Sequence, residues 1–129
     1  MTTSAILCVD DEPLILESLK EQLKRRFRDR YVYEVAESAS EAWEVIQDLY
    51  SGDVSVILIV SDWLMPGIKG DEFLAQVHQQ FPHVVTIMLT GQADEAAVER
   101  AKNEANLYAC IAKPWTEEEL GKIITSALG

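Results

Sequence analysis

Five short, mostly apolar runs alternate with five segments whose apolar residues recur at helical spacing, and no other feature of this 129-residue chain constrains its fold as tightly. The run from Ser4 to Asp10 is followed by Pro13 and then by Leu16, Leu19, Leu23 and Phe27 on one helical stripe. "YVYEVA" (31–36) reads as a strand and leads into "SASEAWEVIQDLY" (38–50), where Ser38 or Ser40 can cap a helix carrying Ala42, Val45, Ile46 and Leu49. "SVILIVSD" (55–62) has the near-continuous β-branched character of a strand buried on both faces, which places it in the middle of a sheet. After the turn "MPGIKG" (65–70) comes a helix through Phe73, Leu74, Val77 and Phe81, ended by Pro82. "VVTIMLT" (84–90) is a fourth strand, "ADEAAVERAKNEA" (93–105) a fourth helix and "LYACIA" (107–112) a fifth strand; Thr116 then caps a last helix, with Glu119 placed to complete a capping box.

A βα unit repeated five times predicts an α/β protein with a parallel sheet covered by helices on both faces, because each parallel crossover must be right-handed and pack back onto the sheet. The expected architecture is a doubly wound, flavodoxin-like (βα)5 fold with strand order 2-1-3-4-5. No linker, repeat or low-complexity run interrupts it, so residues 1–129 read as one domain. With 22 acidic against 11 basic residues and a net charge of −11, the chain lacks the basic footprint that direct nucleic-acid or anionic-membrane binding requires. The longest apolar runs, Ala5 to Val9 and Val56 to Val60, are far short of a membrane span, and "MTTSAIL" has no signal-peptide character, so a cytoplasmic protein is expected. Cys8 and Cys110 lack metal-ligand or redox spacing and read as small core residues; His78 and His83 read as solvent-facing.

In a sheet of this topology ligands bind beyond the carboxyl ends of the strands, near the point where strand order reverses. The first strand ends in Asp10 and Asp11, the third in Asp62, the fourth in Thr90, and the fifth runs into Lys113. Strands 1 and 3 are neighbours in the expected order, which brings three carboxylates together. Two unit charges 4 Å apart repel by roughly 4 kcal/mol at an effective dielectric of 20, so the cluster needs a positive partner. A divalent cation with oxygen ligands, together with Lys113, supplies it. Mg2+ suits a site that offers few carboxylates and leaves the other positions to water and phosphate oxygens. Thr90 and Lys113 add the donors a phosphoryl group requires. No glycine-rich nucleotide loop is present, so the phosphoryl group is not expected to belong to a bound nucleotide, and covalent carriage on a carboxylate is an option that stays open.

The stretches "VDDEP" (9–13), "SDWLMPGIKG" (61–70), "LTG" (89–91) and "KPW" (113–115), in order and each at a strand end, resemble the receiver domains of two-component response regulators over essentially the whole chain. The resemblance is to the chemotaxis-regulator-like phosphoacceptors. It implies that Asp62 accepts a phosphoryl group from a phosphohistidine of a sensor histidine kinase or phosphotransfer protein. It also implies that Asp11, Asp62 and the backbone carbonyl of Leu64 ligate Mg2+ directly, that Asp10 acts through a water, and that the Lys113–Pro114 bond is cis. Such a domain catalyses its own modification and is a switch rather than an enzyme with a separate substrate. The alternative from another class is a pseudo-receiver that binds partners without phosphorylation, and the intact acidic cluster argues against it.

Two departures from the family pattern bear on the output. An aromatic often stands three residues before the site lysine; here that position is Cys110, with Tyr108 two residues earlier, so Tyr108 is expected to sit too far down the strand to follow Thr90. Leu64 and Gln92 are expected to flank the water path to an acyl phosphate. Trp43 reads as packing, and Trp115 as a candidate for partner contact. Lys20, Lys24, Arg25, Arg26, Arg28 and Arg30 cluster at the end of the first helix, where the helix dipole favours cations and where a partner can also dock.

Overall fold

The computed structural model describes residues 3–91 and 95–129. In chain order it contains β1 (Thr3–Val9), α1 (Pro13–Phe27), a 3-10 turn (Arg28–Arg30), β2 (Val32–Ala36), α2 (Ala39–Ser51), β3 (Val54–Asp62), α3 (Gly70–Gln80), β4 (Val85–Thr90), α4 (Glu95–Glu104), β5 (Ala109–Ala112) and α5 (Glu117–Leu128). The five strands are all parallel, in the order β2-β1-β3-β4-β5. The doubly wound arrangement expected from the alternation is therefore the one observed. The expected start of the fourth helix at Ala93, and Gln92, lie outside the described residues.

Two cores follow from the winding. On one face Ala5, Leu7, Val9, Val56, Ile59 and Met88 pack against Ala42 and Ile46 of α2, Phe73 and Val77 of α3 and Ala101 of α4. On the other, Ile6, Cys8, Leu58, Val60, Ile87, Leu89 and Ile111 pack against Leu16, Leu19, Leu23 and Phe27 of α1 and Leu120 and Ile124 of α5. β1 and β3 lie inside the sheet and are covered on both sides, as their unbroken apolar character requires.

Local signals set the helix ends. Ser38 accepts a hydrogen bond from the Glu41 amide at 3.1 Å, and Thr116 accepts one from the Glu119 amide at 3.1 Å, so each hydroxyl satisfies an N–H that its helix leaves unpaired. α3 stops at Gln80, two residues before Pro82, whose ring excludes helix at the residue preceding it.

The structure corrects several expectations. β5 is Ala109–Ala112, shorter than the 107–112 run, because Asn106 turns the chain with φ of 51° and Leu107 N–H is still bonded to Ala101 of α4. Cys110 is exposed: β5 is an edge strand, and α4 packs over α3 and leaves this face of β5 open. Cys8 is buried as expected, and burial pushes its thiol up to about 12. His78 is half-buried in α3, whereas His83 is exposed. Trp43 is half-buried against the α2/α3 core, with its Nε1–H directed at Gln76 Oε1 (3.3 Å).

Candidate functional site

The backbone ladder continues past the strand ends and carries the site residues with it. Asp10 N–H donates to Ala36 C=O (3.1 Å), Trp63 N–H to Leu89 C=O (2.9 Å) and Lys113 N–H to Thr90 C=O (2.9 Å). The register pairs Val9 with Ser61, so Asp10 comes level with Asp62. A break in that register contributes: Ala5 pairs with Val56 but Ile6 with Leu58, leaving Ile57 as an extra residue in β3. Ile57 and Leu58 then both belong to the α1/α5 side, and every later residue of β3 is moved to the opposite face from strict alternation. The shift places Asp62 on the same face as Asp10 and Lys113.

Oxygen atoms of Asp10, Asp11 and Asp62 lie within 4.8 Å of one another. Lys113 Nζ reaches Asp10 Oδ2 and Asp62 Oδ1, both at 3.0 Å. Asp10 is wholly buried, and its other oxygen accepts from the Glu12 amide at 2.9 Å, so both of its oxygens are engaged. Asp11 is exposed and has no hydrogen bond or ion pair among the described residues. Burial raises the Asp62 carboxyl above its ordinary range; Lys113 opposes this, and the negative charges of Asp10 and Asp11 add to it. For Lys113 burial works against the charged form, but its bonds to Asp62 and Asp10 outweigh it and the ammonium is held above its usual value.

Thr90 is buried, and its hydroxyl has no hydrogen-bond partner among the described residues. A buried hydroxyl left unpaired is costly, and one at a strand end beside an open cleft is poised for an incoming acceptor. The cleft is ≈ 690 Å³, walled by Asp11, Asp62, Leu64, Pro66, Gly91 and Lys113. Three clustered carboxylates of hard oxygen donors, with one ammonium against them, fit a divalent cation such as Mg2+. The Lys113–Pro114 bond is cis.

Three residues that mattered less in the sequence complete the frame. Gly70 N–H donates to Trp63 C=O at 2.7 Å, and a Cβ on Gly70 would lie 2.1 Å from the Asp62 carbonyl oxygen. Asp71, 2 % exposed, accepts from Trp63 Nε1 at 3.1 Å and from Arg100 of α4 at 3.0 Å. Trp63, beside Asp62, is thus tied to α4 through α3, and Lys69 lies over its ring at 5.2 Å. Asp71 reads in sequence as an acid favoured by a helix N-terminus; only its burial marks it out. Arg100→Ala would leave the Asp71 carboxylate buried with one neutral donor. We expect it to lower stability by about 1–2 kcal/mol in urea unfolding, above the ~0.5 kcal/mol of an ordinary exposed site. A smaller loss would mean that water replaces the guanidinium.

The expected switch and partner residues scatter. Tyr108 N–H pairs with Thr86 C=O (2.8 Å), and its hydroxyl is 2.8 Å from Ser126 Oγ near the far end of α5, four residues down the strand from Thr90, or about 13 Å. Trp115 packs on the α1/α5 core and donates to Gln22 Oε1 at 2.9 Å, so it serves packing between α1 and the loop before α5.

A doubly wound five-stranded sheet with an acidic cluster at its carboxyl edge, a lysine bonded to two of the acids and, at the end of the neighbouring strand, a threonine hydroxyl without a partner among the described residues, defines a receiver-type domain. The family description "Response regulator receiver domain" matches residues 6–125, and the chain belongs to that family. It is 35% identical over 125 residues to the hydrogenase transcriptional regulatory protein HoxA of Cupriavidus necator, covering 97% of this chain and 24% of that protein, so it spans about a quarter of that relative's length. It is 31% identical over 127 residues to a chemotaxis protein CheY homolog of Campylobacter jejuni, covering 96% of this chain and 92% of that one. The signal receiver domain of an HD domain-containing protein from Pseudomonas fluorescens Pf-5 superposes with a TM-score of 0.86 at 30% identity, over 99% of this chain and 88% of that one. No helix among the described residues is long and apolar enough to cross a membrane.

Proposed function

We propose that this domain is a phosphorylation-dependent signalling switch in which Asp62 takes a phosphoryl group from a phosphohistidine of a sensor kinase or phosphotransfer protein, in a Mg2+-dependent reaction that the domain itself catalyses. The observation that carries the reading is the joint placement, at one edge of the sheet beside an open cleft, of three carboxylates met by the single ammonium of Lys113, with a Thr90 hydroxyl that has no partner among the described residues. Asp11, Asp62 and the Leu64 carbonyl would hold the cation, with Asp10 acting through water because Lys113 and the Glu12 amide already engage its oxygens. When bound, Mg2+ would neutralise charge on the transferring phosphoryl oxygens.

The chain's own residues supply the rest. An Asp62 oxygen forms the new O–P bond as the P–N bond breaks, its electron pair returning to the imidazole. Lys113, held charged by Asp62 and Asp10, lies 3.0 Å from the reacting carboxylate and can follow an oxygen of the incoming group. Thr90 supplies the remaining donor from the neighbouring strand. Leu64, 62 % exposed, stands at the mouth of the cleft, where it can limit the approach of water to an acyl phosphate.

Incubation with acetyl phosphate and Mg2+ tests the reading: one phosphoryl group per chain is expected. No label would make the domain a phosphorylation-independent binding module, and continuous turnover would make it a phosphatase.

Readout is expected to bypass Tyr108, whose ring is anchored to α5 away from Thr90. Tyr108→Phe should retain the beryllofluoride-induced amide shift changes in 95–104. A variant that binds the mimic but loses those changes would establish Tyr108 as the switch.

A further inference from the structure

Six of the chain's eleven basic side chains fall between Lys20 and Arg30, in a molecule of net charge −11. The structure divides most of them into two sets on opposite flanks of α1. Arg25 forks onto Glu117 (2.7 and 3.1 Å) and Arg26 donates to Thr125 Oγ1 (3.1 Å), so both hold α5 against α1. Lys20, Lys24 and Arg28 lie on the other flank and wall a cleft of ≈ 480 Å³ with Tyr31, Val32 and Tyr33. None of the three cations has an ion-pair partner among the described residues, and the one acid bordering the cleft is Asp29.

The helix dipole accounts for Lys24, which stands in the last turn, but not for the whole row. It acts within the last turn, whereas Lys20 stands about two turns before the helix end. The lower wall is also held in place. Arg28 adopts φ 54° and ψ −133°, a conformation unusual for a residue with a side chain, and its carbonyl accepts the hydroxyl of Tyr33, 7 % exposed, at 2.7 Å.

We propose that this cleft docks a carboxylate-rich, extended segment of a partner protein, on the rim of the sheet opposite the phosphoacceptor. The spacing selects an extended segment. Residues four apart on a helix rise by about 6 Å, close to the roughly 6.6 Å between alternate side chains of an extended chain. Acids at alternate positions therefore meet Lys20 and Lys24 in register, with Arg28 walling the cleft just beyond the helix end. β2, which borders the cleft, is an edge strand that among the described residues pairs only with β1, and a free sheet edge accepts an extended chain. The row is only about 12 Å long. A duplex or a bilayer extends well beyond that length and would bring its phosphates against the rest of a strongly acidic surface. A short peptide need not.

The test is amide chemical-shift titration of the full chain at low ionic strength with a blocked peptide alternating Asp and Thr, and with its isomer carrying the Asp residues in one block. Shifts confined to 20–33 are expected, with the alternating peptide binding several-fold more tightly than the isomer. Because each exposed ion pair is worth a few-fold at most, the Lys20→Ala/Lys24→Ala/Arg28→Ala variant should bind about tenfold more weakly. Its acetyl phosphate labelling should equal that of the wild type, which separates this proposal from the phosphoacceptor reading and shows that the variant is folded. Equal binding of the two isomers, unchanged affinity in the variant, shifts centred elsewhere, or tighter binding of duplex DNA or phosphatidylserine vesicles at the same residues would each overturn it.

Discussion

Asp62→Asn is expected to abolish Mg2+-dependent labelling by acetyl phosphate while making the metal-free protein more stable than the wild type. The loss of labelling follows from the nucleophile: Asn offers no carboxylate oxygen, Asp10 has both oxygens engaged and lies outside the lining of the cleft, and the exposed Asp11 has no bond to Lys113. Retained label in the variant would move the phosphoacceptor to another acid. The gain in stability follows from electrostatics. Without a cation, the Asp62 charge is buried and repelled by Asp10 and Asp11, and Lys113 only partly offsets this. Removing that charge should stabilise by on the order of 1 kcal/mol in urea unfolding with a chelator present.

The pH dependence of that gain has a definite sign. The folded-state value of Asp62 is raised above its ordinary 3.8, so the folded protein holds this proton more tightly than the unfolded chain. The stability associated with it is complete below about 3.8 and is lost as pH rises through the folded value. Asn does not titrate. The gap between variant and wild type should therefore close in acid and open towards neutrality. A gap independent of pH would mean that packing, not charge, separates the two.

Gly70→Ala is expected to have the second large effect. The added methyl would lie 2.1 Å from the Asp62 carbonyl oxygen and 2.9 Å from Trp63 Cα, both backbone atoms with no rotamer to yield. Either the start of α3 lifts away, breaking the 2.7 Å bond from Gly70 N–H to Trp63, or the segment bearing Asp62 moves. We expect a loss of about 3 kcal/mol in urea unfolding. We also expect labelling slowed by at least about tenfold, since displacement of a reacting group by about 1 Å can cost a hundredfold. Gly121→Ala is the control: its Cβ would meet Arg26 Cδ at 2.4 Å, but that side chain is long and can swing aside, so a loss below about 1 kcal/mol is expected. Equal losses at the two positions would show that α3 and the phosphoacceptor segment are not in rigid contact.

Much of this protein was legible in its residues because the relevant signals are local. Leu16, Leu19, Leu23 and Phe27 recur with the period of a helix, Ser38 and Thr116 stand where caps are needed, and the β-branched run 55–62 demands cover on both faces. In an all-parallel sheet the acids that end β1 and β3 must share one edge, and right-handed crossovers leave few strand orders to choose among. Asp10, Asp11, Asp62 and Lys113, which the structure brings together, and Thr90 at the end of the neighbouring strand could therefore be placed at one edge from the chain alone.

Tertiary structure decided what depends on register and on which flank of an element is covered. A run that is apolar at every position carries no period-2 signal, so the extra residue at Ile57 leaves no trace in the sequence, yet it turns Asp62 onto the face of Asp10 and Lys113. Asp71 and Arg100 are separated by 28 intervening residues and meet because α3 and α4 are neighbours. Cys110 has a core residue's composition but lies on an edge strand that α4 leaves open, and Trp115 turns inward to Gln22. The basic cluster shows the same division most clearly: neighbouring positions on a helix diverge by about 100°, so Arg25 and Arg26 meet α5 while Lys24 faces the cleft beside β2. The identity of each side chain is written locally, but its partner is set by packing between elements distant in the chain.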